Sequence, residues 1–476
     1  MKFTLRDYQQ AASDAAINFF RSRNQKNGIL VLPTGAGKSL VIADIAHRLD
    51  GNVLVFQPSK EILEQNFDKL RSYGEDDCSI YSASFNSKKI SRITFATIGT
   101  VKAHMEDFNH FRYIIVDECH GVNPMGGMYK NFFDCAKRKI IGLTATPYRL
   151  FAAIQYQDSD ERVIYRPKEP KINPALEKLA TKIAEHERIL ANPLLFGEAP
   201  PPPPLVITPE LQEYIKQKKE YVNKSIEFDN NLDMGIIEAQ NMCILKFLTR
   251  MRPRIFHEVI YKVDIQTLLS RGYLAKLRYF DMTILPQEGL KRNTTGMDFD
   301  ERNLFSEFKR VNLQEYLVGI IKRLQKPKNG VPRKGILVFT KFLDESKKLC
   351  ESIEGCEMIS GDTPAKERKR KIKDFKSGKI KVLTNVGVLT TGFDYPELDT
   401  IVMARPTMSL AMWYQIVGRA IRPHPEKECG WVVDLCGNIK RFGRVEDLQL
   451  TEFKPGEYAI QGIADNQCKQ LTNVYF

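Results

Sequence analysis

Gly28-Ile-Leu-Val-Leu-Pro-Thr-Gly-Ala-Gly-Lys38-Ser39 starts as an apolar run and ends with a lysine and a hydroxyl behind two glycines. Gly28–Leu32 reads as a buried strand. Pro33–Gly37 reads as a tight loop, and Ser39 onward (Leu-Val-Ile-Ala-Asp-Ile-Ala-His) reads as a helix. Glycines allow backbone N–H groups to converge on phosphates, the lysine reaches the outer oxygens, and the hydroxyl ligates magnesium. The helix N-terminus adds a favourable dipole for an anion. The first glycine of the general pattern is replaced by Leu32. On its own, therefore, the stretch is also compatible with a turn that binds nothing.

Similar apolar runs recur outward from this one. They are Asn52–Phe56, Ile93–Ala96, Tyr113–Val116 and Lys139–Leu143, then Gly335–Phe339, Ile380–Leu383, Thr400–Ala404 and Trp431–Leu435. Runs this apolar suit strands covered on both faces. Amphipathic stretches such as Lys60–Tyr73 and Asp344–Ile353 lie between them. The alternation predicts two α/β domains with doubly wound parallel sheets. The expected division is 1–150, an insertion over 151–255, a second α/β domain over 256–445, and a loosely packed tail over 446–476. The insertion is charged, lacks strand-like runs and contains Pro200–Pro204, a stiff spacer. Helical periodicity flanks the prolines at Asn173–Leu190 and Pro209–Lys224.

The 476 residues carry 71 Lys+Arg against 58 Asp+Glu, a net charge of +13, which favours a polyanionic partner. Nine scattered cysteines form no Cys-x-x-Cys pair, which argues against structural zinc and for free thiols in a reducing compartment. No run approaches membrane-spanning length, and the first residues lack a signal-peptide core. The expectation is a soluble, cytoplasmic protein, in a host cytoplasm if phage-encoded.

A second motif strengthens the loop reading. Tyr113-Ile-Ile-Val is followed by Asp117-Glu118-Cys119-His120, about 80 residues beyond Lys38. An acid at a strand end holds Mg²⁺, and its neighbour orients or deprotonates the attacking water. Together the two motifs predict ATP and Mg²⁺. Gln415-Ile-Val-Gly-Arg419-Ala-Ile-Arg422 offers two arginines at i and i+3 on one face of a predicted helix. They are candidates to stabilise charge on the γ-phosphate.

The set resembles a superfamily 2 helicase of the DEAD/DEAH type over most of residues 1–445, insertion apart. Leu5-Arg-Asp-Tyr-Gln9 resembles the motif whose glutamine reads adenine. Pro33–Ser39 resembles motif I and Asp117–His120 the acidic box. Gln57-Pro-Ser-Lys-Glu61 and Thr97-Ile-Gly-Thr100 resemble the strand-gripping motifs, and Thr144-Ala-Thr-Pro147 the coupling motif. Phe339-Thr340, Thr384-Asn385 through Asp394, and Gln415–Arg422 resemble the later motifs. The closest likeness is to the RadD-type group and its phage relatives, carried by Thr146–Leu150, Ser270–Leu274, Thr391–Pro396 and Val433–Asn438 with Phe442-Gly443.

The resemblance implies two RecA-like parallel-sheet domains in tandem, with a partly helical insertion between them. Gln9, Thr34, Gly35, Gly37, Lys38, Ser39, Gly392 and Asp394 would hold ATP, with Ser39 and Asp117 on Mg²⁺. Lys38, Asp117, Glu118, Gln415, Arg419 and Arg422 would be catalytic, with Arg422 rather than Arg419 as the finger. Pro58, Ser59, Thr97, Gly99, Thr340 and Thr390 would touch a nucleic-acid backbone, and Thr144 and Thr146 would couple the two events. The implied activity is that of an ATP-dependent DNA helicase or translocase in repair, recombination or replication. An RNA helicase, a restriction-system motor subunit and an ATP-switched clamp are the alternatives. DNA is favoured over RNA by Asp-Glu-Cys-His and by Thr144. A protein partner for loading or at the insertion is also expected, with no oligomeric state implied. Lys366–Lys381, with nine basic and two acidic residues, reads as a helix with a positive face beginning after Thr363.

Overall fold

The computed structural model describes residues 4–171, 173–191, 207–326, 330, 332–333, 335–389, 395–455, 457–464 and 467–472. Pro200–Pro204, Thr390, Gly392 and Asp394 fall outside them. The chain divides into two compact units, Met1–Ala152 with Cys243–Phe476, and Ala153–Met242.

The larger unit begins with α1 (Asp7–Arg21), β1 (Gly28–Val31), α2 (Lys38–Arg48), β2 (Val53–Phe56), α3 (Lys60–Arg71), β3 (Cys78–Ser82) and β4 (Ser87–Lys88). It continues through β5 (Ile93–Ala96), α4 (Ile98–Val101), β6 (Tyr113–Asp117), α5 (Met128–Ala136) and β7 (Ile140–Thr144). Strand β8 (Tyr148–Asp158) leads into the smaller unit, with β9 (Val163–Ile164), α6 (Pro174–Leu190) and α7 (Pro209–Asp233). Strand β10 (Ile237–Phe247) leads out again. Each helix has proline in its first turn behind a polar cap. Asn173 Oδ1 accepts from Ala175 N at 3.1 Å, and Thr208 Oγ1 from Leu211 N at 3.3 Å.

The insertion is not strandless as expected. A three-stranded sheet, β10-β8-β9, frames it. β8 is mostly half-buried and β10 is exposed over its first half, so neither has the continuous apolar run by which buried strands are recognised. The compact unit is also narrower than 151–255. β11 (Glu258–Lys262), expected in the second domain, pairs in parallel with β1 and completes the first sheet, Gly28 opposite Glu258. It is a partly buried edge strand carrying two charges, which hid it from an apolar-run search.

The first sheet has the order β11-β1-β7-β6-β2-β5-β3-β4, parallel except for the final β3–β4 pair. Strands β1, β2, β5, β6 and β7 are buried throughout. The second lobe follows α8 (Ile265–Ser270). It holds β12 (Lys276–Asp281), α9 (Glu301–Arg310), α10 (Leu313–Gln325), β13 (Ile336–Thr340), α11 (Leu343–Ser352) and β14 (Cys356–Ile359). Then come α12 (Ala365–Lys376), β15 (Val382–Val386), β16 (Thr400–Ala404), α13 (Leu410–Val417) and β17 (Cys429–Asp434). Its six strands are parallel, in the order β12-β17-β16-β13-β15-β14.

After α14 (Asn438–Phe442), the expected loose tail is instead an antiparallel sheet of β18 (Gln449–Lys454), β19 (Glu457–Ala464) and β20 (Gln467–Gln470). Leu450, Tyr458, Ala459 and Ile460 are buried. β18 and β20 are short and largely exposed, so no apolar run marks them. Among the described residues no helix is long and apolar enough to cross a membrane.

Candidate functional site

The two parallel sheets bring their motifs to one cleft of about 240 Å³. Leu32 continues the β1 ladder, its N–H 3.1 Å from Thr144 O, and is fully buried. That position therefore needs a strand residue rather than a glycine. The turn falls to Gly35 (φ +85°) and Gly37 (φ +76°), the left-handed region that glycine enters without strain. A Cβ on Gly37 would lie 2.5 Å from Gln9 Nε2. Gly37 precedes α2, whose N-terminus no side chain caps.

Gln9 is itself buried. Its Oε1 accepts from Arg6 N at 2.9 Å and its Nε2 donates to Ala36 O at 2.8 Å. It thus steadies the loop from behind. Tyr8 OH donates to the same carbonyl at 2.9 Å.

Strand β6 delivers Asp117 and Glu118. Asp117 is 4% exposed, its Oδ1 accepting from Glu118 N at 2.9 Å and its Oδ2 from Asn66 Nδ2 at 3.0 Å. Glu118 has φ +48°, a left-handed backbone that ends the strand and swings its carboxylate to Lys38 Nζ at 3.3 Å. For a residue with a Cβ this costs roughly 1–2 kcal/mol, and such strain persists at sites that use it. Burial, then the neighbouring Glu118 charge, push the Asp117 carboxyl up to about 7. Burial would raise Glu118 too, but Lys38 and His120 outweigh it and hold that carboxyl far below its usual range. A buried acid and a half-buried one thus share one ammonium. A divalent cation beside Asp117 and the Ser39 hydroxyl would relieve the imbalance, so the donor set fits Mg²⁺.

Cys119 and His120 are not metal ligands in this arrangement. Cys119 is buried against Gly142, where an added Cβ would meet its Sγ at 2.5 Å. His120 Nδ1 lies 2.9 Å from Thr144 Oγ1, 3.1 Å from Thr146 Oγ1 and 3.4 Å from Glu118 Oε2. Its Nε2 lies 3.1 Å from Gln415 Nε2. A carboxamide nitrogen only donates, so His120 Nε2 is the acceptor and Nδ1 carries the proton. Sequence reading placed His120 in the acidic box without a role of its own. Its signal was a histidine one residue past the acid pair, with two strand-end threonines downstream.

The second lobe reaches the same cleft. Arg419 and Arg422 line it with Thr34, Lys38, Ser39, Asp117 and Glu118. They do not share a helix face as expected. Helix α13 stops at Val417, and Arg419 N→Ile416 O and Ala420 N→Val417 O, both 3.0 Å, tighten the chain into turns. The approach is close: a Cβ on Gly418 would lie 2.7 Å from Thr34 Cβ.

The proposed nucleic-acid residues divide. Pro58 and Gly99 are exposed. Ser59 caps α3, accepting from Ile62 N at 3.4 Å. Thr97 Oγ1 lies 3.0 Å from Thr100 Oγ1 and 3.1 Å from Ser82 Oγ. The Thr340 hydroxyl is not available for a phosphate. It is fully buried at the end of β13, 2.7 Å from Ser346 Oγ and 3.4 Å from Asn385 O.

Residues 2–149 match the family "Type III restriction enzyme, res subunit", and 315–424 match "Helicase conserved C-terminal domain". The yeast Saccharomyces cerevisiae protein "Putative ATP-dependent helicase IRC3" is 24% identical over 464 residues, 91% of this chain and 51% of that protein. The "DNA 3'-5' translocase XPB2" of Sulfurisphaera tokodaii is 33% identical over 150 residues, 31% of this chain and 32% of its own. A solved "fragment structure of a putative HsdR subunit of a type I restriction enzyme" from Vibrio vulnificus superposes with a TM-score of 0.55. It is 16% identical, covering 92% of this chain and 65% of that one. The chain thus spans about half the length of the yeast relative, and the match to the archaeal one covers about a third of each. None of these speaks for the RadD-type group in particular. Tandem RecA-like sheets, with helicase-type families matched in both lobes, place the chain in superfamily 2 of the helicases.

Proposed function

We propose that the protein is an ATP-dependent DNA helicase or translocase that couples ATP hydrolysis to movement along, or remodelling of, DNA. The observation that carries this reading is the shared cleft. Lys38, Ser39, Asp117 and Glu118 belong to one lobe, Arg419 and Arg422 to the other. A site assembled from two lobes ties hydrolysis to their relative movement.

In this reading Lys38 and the backbone of Thr34–Gly37 bind the ATP phosphates, and Gln9 reads adenine. Ser39 and Asp117 hold Mg²⁺, which when bound neutralises phosphate charge. Glu118 orients the attacking water, and Arg422, with Arg419, stabilises charge on the transferred phosphoryl group. Gln415 acts through His120. Pro58, Ser59, Thr97 and Gly99 contact the nucleic-acid backbone, which positions a strand without reading its sequence. Thr390, Gly392 and Asp394 keep the roles the motif resemblance implies. The basic surplus and the printed name of the archaeal relative support DNA as the track.

The test is steady-state ATP hydrolysis alone and with single-stranded DNA, forked DNA and single-stranded RNA, with Lys38→Ala as blank. Stimulation by DNA and loss of turnover in Lys38→Ala are expected. Stimulation by RNA alone would overturn the DNA assignment, and full turnover in Lys38→Ala would overturn the site.

A further inference from the structure

Helix α3 buries Leu63, Asn66 and Leu70 on one face. Two leucines in that row are ordinary core packing. The asparagine between them is not, because an apolar side chain there would need no hydrogen-bonding partners. Asn66 is 1% exposed. Its Nδ2 donates to Asp117 Oδ2 at 3.0 Å and to Gln57 Oε1 at 2.9 Å. Its Oδ1 is buried without a hydrogen-bond partner among the described residues, and the residue lines the nucleotide cleft.

We infer that Asn66 is a positioning residue for Asp117, and through it for the divalent cation of the cleft. The inference rests on the ATP site proposed above. Asp117 Oδ1 is fixed by the Glu118 N–H and Oδ2 by Asn66, so the plane of the carboxylate is set from both sides. Each oxygen keeps a second lone pair for a metal. The donor is neutral, which suits the task. A lysine or arginine at the same place would neutralise Asp117 and compete with the cation. The unmatched Oδ1 supplies an acceptor beside the metal site, available to a water in the cation's shell.

Gln57 gives Asn66 a second connection. It is buried beside Asn66 and directly precedes the exposed Pro58 and the Ser59 that caps α3. One hydrogen-bond chain therefore runs from the proposed strand-gripping turn to the metal ligand. Groups of this kind, which hold a ligand rather than the metal itself, typically alter metal affinity by about 10- to 100-fold when removed.

The experiment measures binding of fluorescently labelled ADP to the full chain, in EDTA and across a Mg²⁺ titration, for wild type, Asn66→Leu and Asn66→Ser. Leucine keeps the volume and removes both polar atoms. Serine is smaller and carries the test if leucine does not fold. Expected are ADP binding in EDTA close to that of wild type and a half-saturating Mg²⁺ concentration raised about tenfold or more. A loss of packing alone would lower both together. Half-saturation within twofold of wild type, with binding in EDTA retained, overturns the inference and leaves the ATP site standing. Wild-type protein that binds no labelled ADP under either condition would overturn the ATP-site reading itself.

Discussion

Replacing Gly418 with alanine should uncouple the lobes without disturbing either one. Gly418 follows α13 with φ −58° and ψ −11°, an ordinary right-handed helical conformation. Alanine meets no backbone strain there, and a helix end tolerates it well. The obstacle lies entirely across the cleft. The added Cβ would sit 2.7 Å from Thr34 Cβ, 2.8 Å from its Cγ2 and 3.0 Å from its Oγ1. Thr34 is only 9% exposed and sits in the tight Pro33–Gly37 loop, so it has little room to yield. Overpacking of this kind costs about 1–3 kcal/mol. At about 1.4 kcal/mol per factor of ten, the closed cleft loses roughly 5- to 150-fold in population. The assay is kcat/KM for ATP with the best stimulating nucleic acid, alongside thermal melting. Turnover should fall by that factor while the melting temperature drops only modestly, because the clash is confined to Thr34 and leaves the hydrophobic cluster shared by the lobes in place. Gly319→Ala, in α10 with no atom within 4 Å of the new Cβ, is the control and should leave turnover unchanged. Gly418→Ala with kcat/KM within twofold of wild type would refute the reasoning, since the lobes would then not need this contact to hydrolyse ATP.

Two further outcomes follow from charge. Glu345, third residue of α11, accepts from Phe342 N at 3.1 Å, yet burial raises its carboxyl from 4.5 to about 7. The native state then holds a proton that the unfolded chain has released. Stability from this group is full below about pH 4.5 and is lost as pH rises through 7, by at most roughly 3 kcal/mol. Glu345→Gln should flatten the decline of melting temperature across that window, and an unchanged slope would refute the assignment. On α12, Arg370 and Lys371 take up Glu357, Glu367 and Asp374 at 2.9–3.4 Å. Lys366, Lys369 and Lys373 stay exposed in one row. Changing those three to glutamine should reduce the salt slope of single-stranded DNA binding by about 2, at ~0.7 per phosphate contact. An unchanged slope would make the row a solvated helix face.

What was legible in the sequence depended on how many faces an element buries. Strands β2, β5, β6 and β7 are covered on both sides, and their apolar runs stand out to within a residue. Strands β8, β10, β11 and β18 have a wet face or an edge, so charges interrupt their pattern. The site was legible where chemistry demands a residue type in a fixed local order, as in Pro33–Ser39 and Asp117-Glu118. It was not legible where a residue acts through a neighbour distant in sequence. Asn66 lies 51 positions from Asp117; its place between Leu63 and Leu70 marks it as inward-facing, but nothing local in α3 names its partner. The Thr340 hydroxyl was assigned outward because motif position says nothing of side-chain direction. At the end of a fully buried strand it turned inward to Ser346 instead.

In the proposed mechanism, His120 links Gln415 to the acid pair, since the Gln415 hydrogen bond goes to that histidine. The imidazole places its Nδ1–H among Thr144, Thr146 and Glu118, and its bare Nε2 toward Gln415. Both nitrogens are committed only when the second lobe presents Gln415. With the lobes apart, Nε2 loses its donor, and nothing from that side holds the ring against Glu118. Glu118 sits on a strained left-handed backbone, so its carboxylate depends on neighbours for its direction. Lys38 holds one oxygen and His120 borders the other. In the proposed mechanism, lobe closure does more than bring Arg419 and Arg422 to the phosphates. Through a single ring it also sets the orientation of the acid proposed to direct the water. Gln415→Leu should accordingly lower kcat far more than it raises KM for ATP. A variant in which only KM changed would return Gln415 to simple nucleotide binding.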